Sequence, residues 1–209
     1  MYSPTLERGV LSPIDALLTL IRLIESADPS LRGHGIRTAY YAVPLGHAAG
    51  LSPAELNDLC LASLLHDIGV LTIPQELLDK EEPLTDEEYA LVQSHPRAGA
   101  KLLAPIAVLR RPALWIAHHH ERWDGFGYPY GLRGELIPLG ARILAIADTF
   151  DSLTSPQPFR PALEPKSALR LLQKLAASQL DPALVAVFGQ LFPMPSAVRT
   201  ETDAFAERR

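Results

Sequence analysis

The 209-residue chain is 47% hydrophobic and 21% charged, an ordinary globular composition with length for one well-packed domain and no need of two. Its formal net charge of −5 argues against a surface for nucleic-acid polymers, which need an excess of Lys and Arg, but leaves room for a small anionic substrate held by bound cations. A single cysteine, Cys60, excludes an internal disulfide, and no stretch has the pattern of a signal peptide or a membrane span, so a cytoplasmic protein is expected.

Ser12-Pro13-Ile14-Asp15 reads as a helix start, with Ser12 as cap and Pro13 at the first helical position. Apolar residues at Ile14, Leu17, Leu18, Ile21 and Ile24 predict a buried stripe that ends at Asp28-Pro29. A second helix is expected over 31–49, carrying His34, Tyr41 and His47, kinked or split by Pro44 and closed by Gly50. The capping box Ser52-Pro53-Ala54-Glu55 opens a third helix that runs to Leu64-Leu65-His66-Asp67-Ile68-Gly69. Residues 69–83, broken by Pro74 and Pro83, read as irregular.

A second capping box, Thr85-Asp86-Glu87-Glu88, begins the helix expected to deliver His95 shortly before Gly99. Another helical run, after Pro105 and Pro112, ends in His118-His119-His120. Repeated glycines make 124–138 a loop, and 138–155 reads as a strongly apolar helix in which Asp148 is embedded. Helices around 167–177 and 182–192 follow, then a tail to residue 209. With no convincing strand pattern, the fold class is all-α.

Six of the seven histidines, His34, His66, His95, His118, His119 and His120, fall at or beside segment ends that an all-helical fold can bring together. Adjacent helical residues point about 100° apart, so His66 and Asp67 can approach one cation from two directions while the second carboxylate oxygen reaches another. Asp148, in an apolar helix, must pair, bind a cation or ionise at high cost; Arg142 or a loop amide offers the structural alternative. His47 reads as a surface or packing residue, and His118 as exposed or as a support behind the two histidines that follow it. Trp123 and Tyr128 are open to stacking on a purine or to anchoring their loop.

His66-Asp67-Ile68-Gly69, Ile73-Pro74, His95-Pro96, His119-His120-Glu121-Arg122-Trp123-Asp124-Gly125-Phe126-Gly127-Tyr128-Pro129, Ile137-Pro138, Ala141-Arg142-Ile143 and Asp148-Thr149-Phe150-Asp151 occur in this order. Together they resemble the HD-GYP subgroup of the HD-domain metal-dependent phosphohydrolases. The resemblance implies an HD-domain helical bundle over 31–192, preceded by an N-terminal helix within 1–30 and followed by a tail over 193–209, with a glycine-rich GYP loop beside a metal centre. It implies hydrolysis of cyclic di-GMP to pGpG, in some members onward to GMP, through a hydroxide bridging two divalent ions, most often iron or manganese.

Carried over by position, the ligands are His34, His66, Asp67, His95, His119, His120 and Asp148, with Asp67 bridging and counted as catalytic. Gly127, Tyr128 and Arg160 are assigned to the substrate. The sequence departs from the pattern at Val70, where lysine is usual, at Gln157, where arginine is usual, and at Ser30, where members with three ions carry glutamate, so two ions are expected here. Two further readings stay open: a degenerate module that binds metal and signals, and a phosphohydrolase for another nucleotide. The resemblance also leaves room for a signalling protein at the GYP loop and for a homodimer.

Overall fold

A computed structural model describes residues 12–80, 82–156 and 160–193. Residues 1–10, Gln157 and nearly all of the expected tail therefore lie outside the described residues. Among the described residues ten α-helices follow one another: α1 Pro13–Ala27, α2 His34–Ala48, α3 Pro53–Leu65, α4 Gln75–Leu78, α5 Asp86–Val92, α6 His95–Leu103, α7 Arg110–Ala117, α8 Leu139–Thr154, α9 Pro165–Leu175 and α10 Pro182–Leu191. Among the described residues there is no strand, only an isolated bridge between Ala176 and Leu180. None of these helices is long and apolar enough to cross a membrane.

The caps form where the side chains call for them. Ser12 accepts from the Asp15 N–H, and both capping boxes close reciprocally, Ser52 with Glu55 and Thr85 with Glu88. The centre of the bundle is α8, whose Ile143, Leu144, Ile146, Ala147 and Phe150 are buried. Helix α2 packs against α3 and α8, α7 against α3 and α6, and α9 and α10 cover the remaining side of α8. Burying fully enclosed side chains such as Leu45, Leu59, Leu65 and Phe188 contributes about 1.5–3 kcal/mol each before chain entropy is set against it.

Four local expectations need correction. The stripe on α1 is buried only at Ile24; Leu17, Leu20 and Ile21 are half-buried against the core, and Ile14 and Leu18 are exposed at 69% and 44%, because the first turn and the flank of the stripe lie outside the contact with the bundle. Helix α2 begins at His34, after a separate 3₁₀ turn at Pro29–Leu31, and of the two outcomes expected at Pro44 the split does not occur. The carbonyl that Pro44 cannot bond belongs to Tyr40, and both residues face solvent, where water can serve it. Residues 68–78 are ordered as a 3₁₀ turn, Ile68–Thr72, and the short α4.

The fourth correction concerns the helix expected to carry His95, which is two helices. Helix α5 stops at Val92 because Pro96 has no N–H to give the Val92 carbonyl; His95 Nδ1 takes that acceptor instead, at 2.8 Å, and starts α6. The Ile68–Thr72 turn packs on α6 so closely that a Cβ on Gly69 would collide with the His95 carbonyl and lie 2.9 Å from the Gly99 nitrogen. Glycine at position 69 thus sets the distance between Asp67 and His95.

Gly69→Ala should therefore lower unfolding free energy by about 1–3 kcal/mol or more, as overpacked cores do. Gly189→Ala in α10, where the added methyl finds its nearest neighbour at 3.7 Å, should instead stabilise by about 0.5–1 kcal/mol. Urea unfolding of the two variants against the parent protein measures both.

Candidate metal centre

Three histidines sit just past the C-terminal ends of helices, where the last carbonyls lack intrahelical partners. His66 Nδ1 bonds the Ser63 carbonyl of α3 at 2.9 Å, His95 Nδ1 the Val92 carbonyl of α5 at 2.8 Å, and His119 Nδ1 the Ile116 carbonyl of α7 at 2.7 Å. A carbonyl only accepts, so Nδ1 carries the proton in each ring and Nε2 presents a lone pair. Those three Nε2 atoms, with His34 and His120, converge on Asp67 and Asp148.

Two groups form around the Asp67 carboxylate. Asp67 Oδ2 lies 3.1 Å from His66 Nε2 and 3.7 Å from His34 Nε2, while Oδ1 lies 3.7 Å from His95 Nε2. His34, His66 and Asp148 offer ligand atoms within 4.8 Å of one another, and so do His95, His119 and His120. A first-row cation binds imidazole nitrogen at about 2.1 Å, so ligand atoms on one ion stand roughly 3 Å apart. The 3.1 Å between His34 Nε2 and His66 Nε2 and the 3.2 Å between His34 Nε2 and Asp148 Oδ1 match that spacing.

The polar atoms left over make the same point. His95 Nε2 and His119 Nε2 are buried and have no hydrogen-bond partner among the described residues, a costly condition for a lone pair unless a cation meets it. Burial lowers the pKa of His120 to about 4 and that of His119 well below the usual imidazole range, where the neighbouring imidazoles lower it further. Both rings are thus neutral and ready to coordinate. Imidazole with carboxylate suits iron, manganese or zinc better than magnesium. The residues present fit a divalent metal centre.

His34 is held differently. Its Nδ1 bonds Asp151 Oδ2 at 2.6 Å, and Arg37 grips Asp151 through Nε at 2.7 Å and a terminal nitrogen at 3.0 Å. Burial lowers the His34 pKa, but bonds to Asp148 and Asp151 outweigh it and push it up to about 10. A cation held between the same atoms would do the work of that proton. Burial raises the Asp148 carboxyl, yet the His34 bond and the surrounding imidazoles hold it well below the usual carboxylate range. The structural alternative for Asp148 is not what is seen, since Arg142 pairs with Asp181 at 2.7 Å.

Around the cluster, two cavities of about 470 and 300 Å³ share His120, Asp148 and Ser152. Tyr128 lines the larger one and stacks on the His120 ring at 4.9 Å. A Cβ on Gly127 would lie 2.6 Å from Glu121 Cα and from the His120 carbonyl oxygen, so the glycine lets the GYP loop rest on the histidine segment. Buried Glu121 fastens the rest of the loop by accepting from the Tyr130 and Leu132 N–H groups at 2.8 and 2.9 Å.

The seven expected ligands are brought together, but Arg160 is elsewhere: its guanidinium donates to the carbonyls of Ser152 and Leu153 at the end of α8, and to that of Pro161. His47 is exposed, His118 turns to the Leu114 carbonyl and Tyr130, and Trp123 anchors its loop beside Arg142. The sequence reading missed Arg37 and gave Asp151 and Glu121 no role. Their spacing from the ligands did carry a signal: Asp151 is three residues after Asp148 and Arg37 three after His34, each pair on one helix face.

Comparison with protein families matches residues 19–184 to the HD domain. A cyclic di-GMP phosphodiesterase of Vibrio cholerae is 36% identical over 83% of this chain and 38% of its own length. The cyclic di-GMP phosphodiesterase response regulator RpfG of Xanthomonas campestris is 38% identical over 82% of this chain and 46% of its own. The chain thus spans less than half the length of these curated relatives. Among solved structures, a cyclic GMP-AMP specific phosphodiesterase of V. cholerae superposes with a TM-score of 0.65 at 24% identity, over 91% of this chain and 51% of that one, which shows a shared fold. With the family match spanning most of its length and the ordered motifs in place, the chain belongs to the HD domain family, in its HD-GYP subgroup.

Proposed function

We propose that this domain is a metal-dependent phosphodiesterase that opens one phosphodiester of a cyclic dinucleotide, cyclic di-GMP in the first instance, to give linear pGpG. The observation that carries the reading is Asp67, with one oxygen toward each of two histidine groups. In this reading His34, His66 and Asp148 would hold one divalent cation and His95, His119 and His120 a second, with an oxygen of Asp67 available to each group. Iron and manganese suit the donor set best. Two such ions supply Lewis acidity for the phosphate charge and lower the pKa of an attacking water.

The chain's own groups do the rest. The carbonyls of Ser63, Val92 and Ile116 and the carboxylate of Asp151 aim the imidazoles and keep their protons on Nδ1. The two adjoining cavities give room for a ligand larger than a mononucleotide, and Tyr128 on His120 forms one wall. Hydrolysis breaks the bond from phosphorus to the 3′-oxygen, water supplies the new oxygen, and the departing 3′-oxygen takes a proton. The names of the relatives favour cyclic di-GMP, with cyclic GMP-AMP as the first alternative substrate to try.

A second reading, a module that binds metal and signals without turnover, is favoured by one specific observation. Val70 is buried in the core at 7% exposure and carries no charge, and Arg160 is turned to the carbonyls at the end of α8 and lines neither cavity. Signalling through a protein seated on the GYP loop would belong to this reading.

Incubation of the manganese- or iron-loaded protein with cyclic di-GMP should yield pGpG, and Asp67→Ala should abolish turnover; absence of product with either metal would favour the second reading. Asp151→Asn should weaken metal binding by about 10–100-fold with the fold retained, as judged by competition with a chromogenic chelator. Stripping the metal with a chelator should lower the melting temperature by roughly 5–10 °C, the shift for a ligand present at about a hundred times its Kd in a domain of this size.

A further inference from the structure

We infer that Arg37 anchors a phosphate of the cyclic dinucleotide beside the cluster, an assignment that rests on the phosphodiesterase reading and adds a substrate contact to it. Arg37 lines the smaller cavity together with Ser30, His34, Asp67, Asp148 and Ser152. This cavity opens directly on the carboxylate that faces both histidine groups, and an anionic ligand entering it meets Asp67 and Asp148. A phosphate there needs fixed positive charge from the protein in addition to bound cations.

The guanidinium is built to supply it. Nε and one terminal nitrogen donate to the two oxygens of Asp151 at 2.7 and 3.0 Å, and the other terminal nitrogen donates to the Arg32 carbonyl at 3.1 Å. Of five N–H groups, two have no partner among the described residues. The side chain is 41% exposed while that of Asp151 is 1% exposed, so the carboxylate lies beneath a guanidinium that reaches the surface and the cavity. An arginine fixed in this way meets a phosphate with its orientation already set and little rotamer entropy left to lose.

The other cations near the cluster are less well placed. Arg122 makes the same pattern of bonds, to Asp124 at 2.6 and 3.1 Å and to Gln179 at 3.4 Å, but it borders the larger cavity and not the one that Asp67 lines. Arg142 is locked to Asp181 and the Ile137 carbonyl. Arg160, bonded to three backbone carbonyls, lines neither cavity, and position 70 is a buried valine.

The test is calorimetric titration of the metal-loaded protein with a phosphorothioate analogue of cyclic di-GMP that resists hydrolysis, with metal content and melting temperature recorded on the same samples. Arg37→Gln should weaken binding by about ten- to a hundredfold, the loss of charge-assisted hydrogen bonds, at unchanged metal content. Unchanged affinity would overturn the inference, as would a loss that only follows a loss of metal, since Arg37 would then act solely through Asp151 and His34. Where Arg37→Gln fails to fold, Arg37→Lys takes its place, with weaker binding at full metal content supporting the assignment and unchanged binding overturning it. No binding by the parent protein would overturn the phosphodiesterase reading together with this inference, whereas unchanged affinity in the variant overturns this inference alone.

Discussion

The structure depends on unpaired carbonyls at the C-terminal ends of three helices. Those of Ser63, Val92 and Ile116 each capture the Nδ1 proton of a histidine three residues later, and so turn Nε2 of His66, His95 and His119 inward as lone pairs. A helix end normally gives such carbonyls to water. Here they become the part of the scaffold that fixes both the tautomer and the direction of each imidazole. The inward lone pairs, two of them buried without a hydrogen-bond partner among the described residues, explain why a carboxylate with an oxygen toward each side is stable in the middle only if positive charge arrives there.

The bundle serves this constraint. Helix α8 crosses the centre and presents Asp148 and Asp151 one turn apart, the first toward the cluster and the second toward the back of His34. Helix α2 begins at His34 and carries Arg37 one turn later, so one helix face supplies both an inward imidazole and the group that steadies its partner. The Ile68–Thr72 turn pressed on α6 through Gly69 ties the Asp67 backbone to the start of the helix that holds His95. Core packing and site geometry are therefore one problem: a methyl group added at that contact disturbs both.

Much of this was legible in the residues. The capping boxes at Ser52 and Thr85, the apolar run around Asp148 and the glycines of the GYP loop each fixed an element through local chemistry, and the ordered histidines marked the site before any coordinates. What escaped depends on tertiary contacts. The α1 stripe was read as buried through Ile14 and Leu18, but periodicity says which residues share a face and not how far along that face the bundle extends. The break before His95 needed the knowledge that an imidazole could replace the amide that Pro96 lacks. Arg160 looked available to a phosphate until the end of α8 was seen to claim it, while Arg37 and Asp151, 114 residues apart, meet only in the folded chain.

The central claim is that Asp67 joins two cations caged by histidines from separate helices, and the most direct measurement is anomalous diffraction at the manganese edge from crystals soaked in Mn²⁺. The account predicts two peaks about 3.5–4 Å apart, one toward His34, His66 and Asp148 and the other toward His95, His119 and His120, with the Asp67 carboxylate between them. A single peak, or two peaks of which neither touches Asp67, would contradict it.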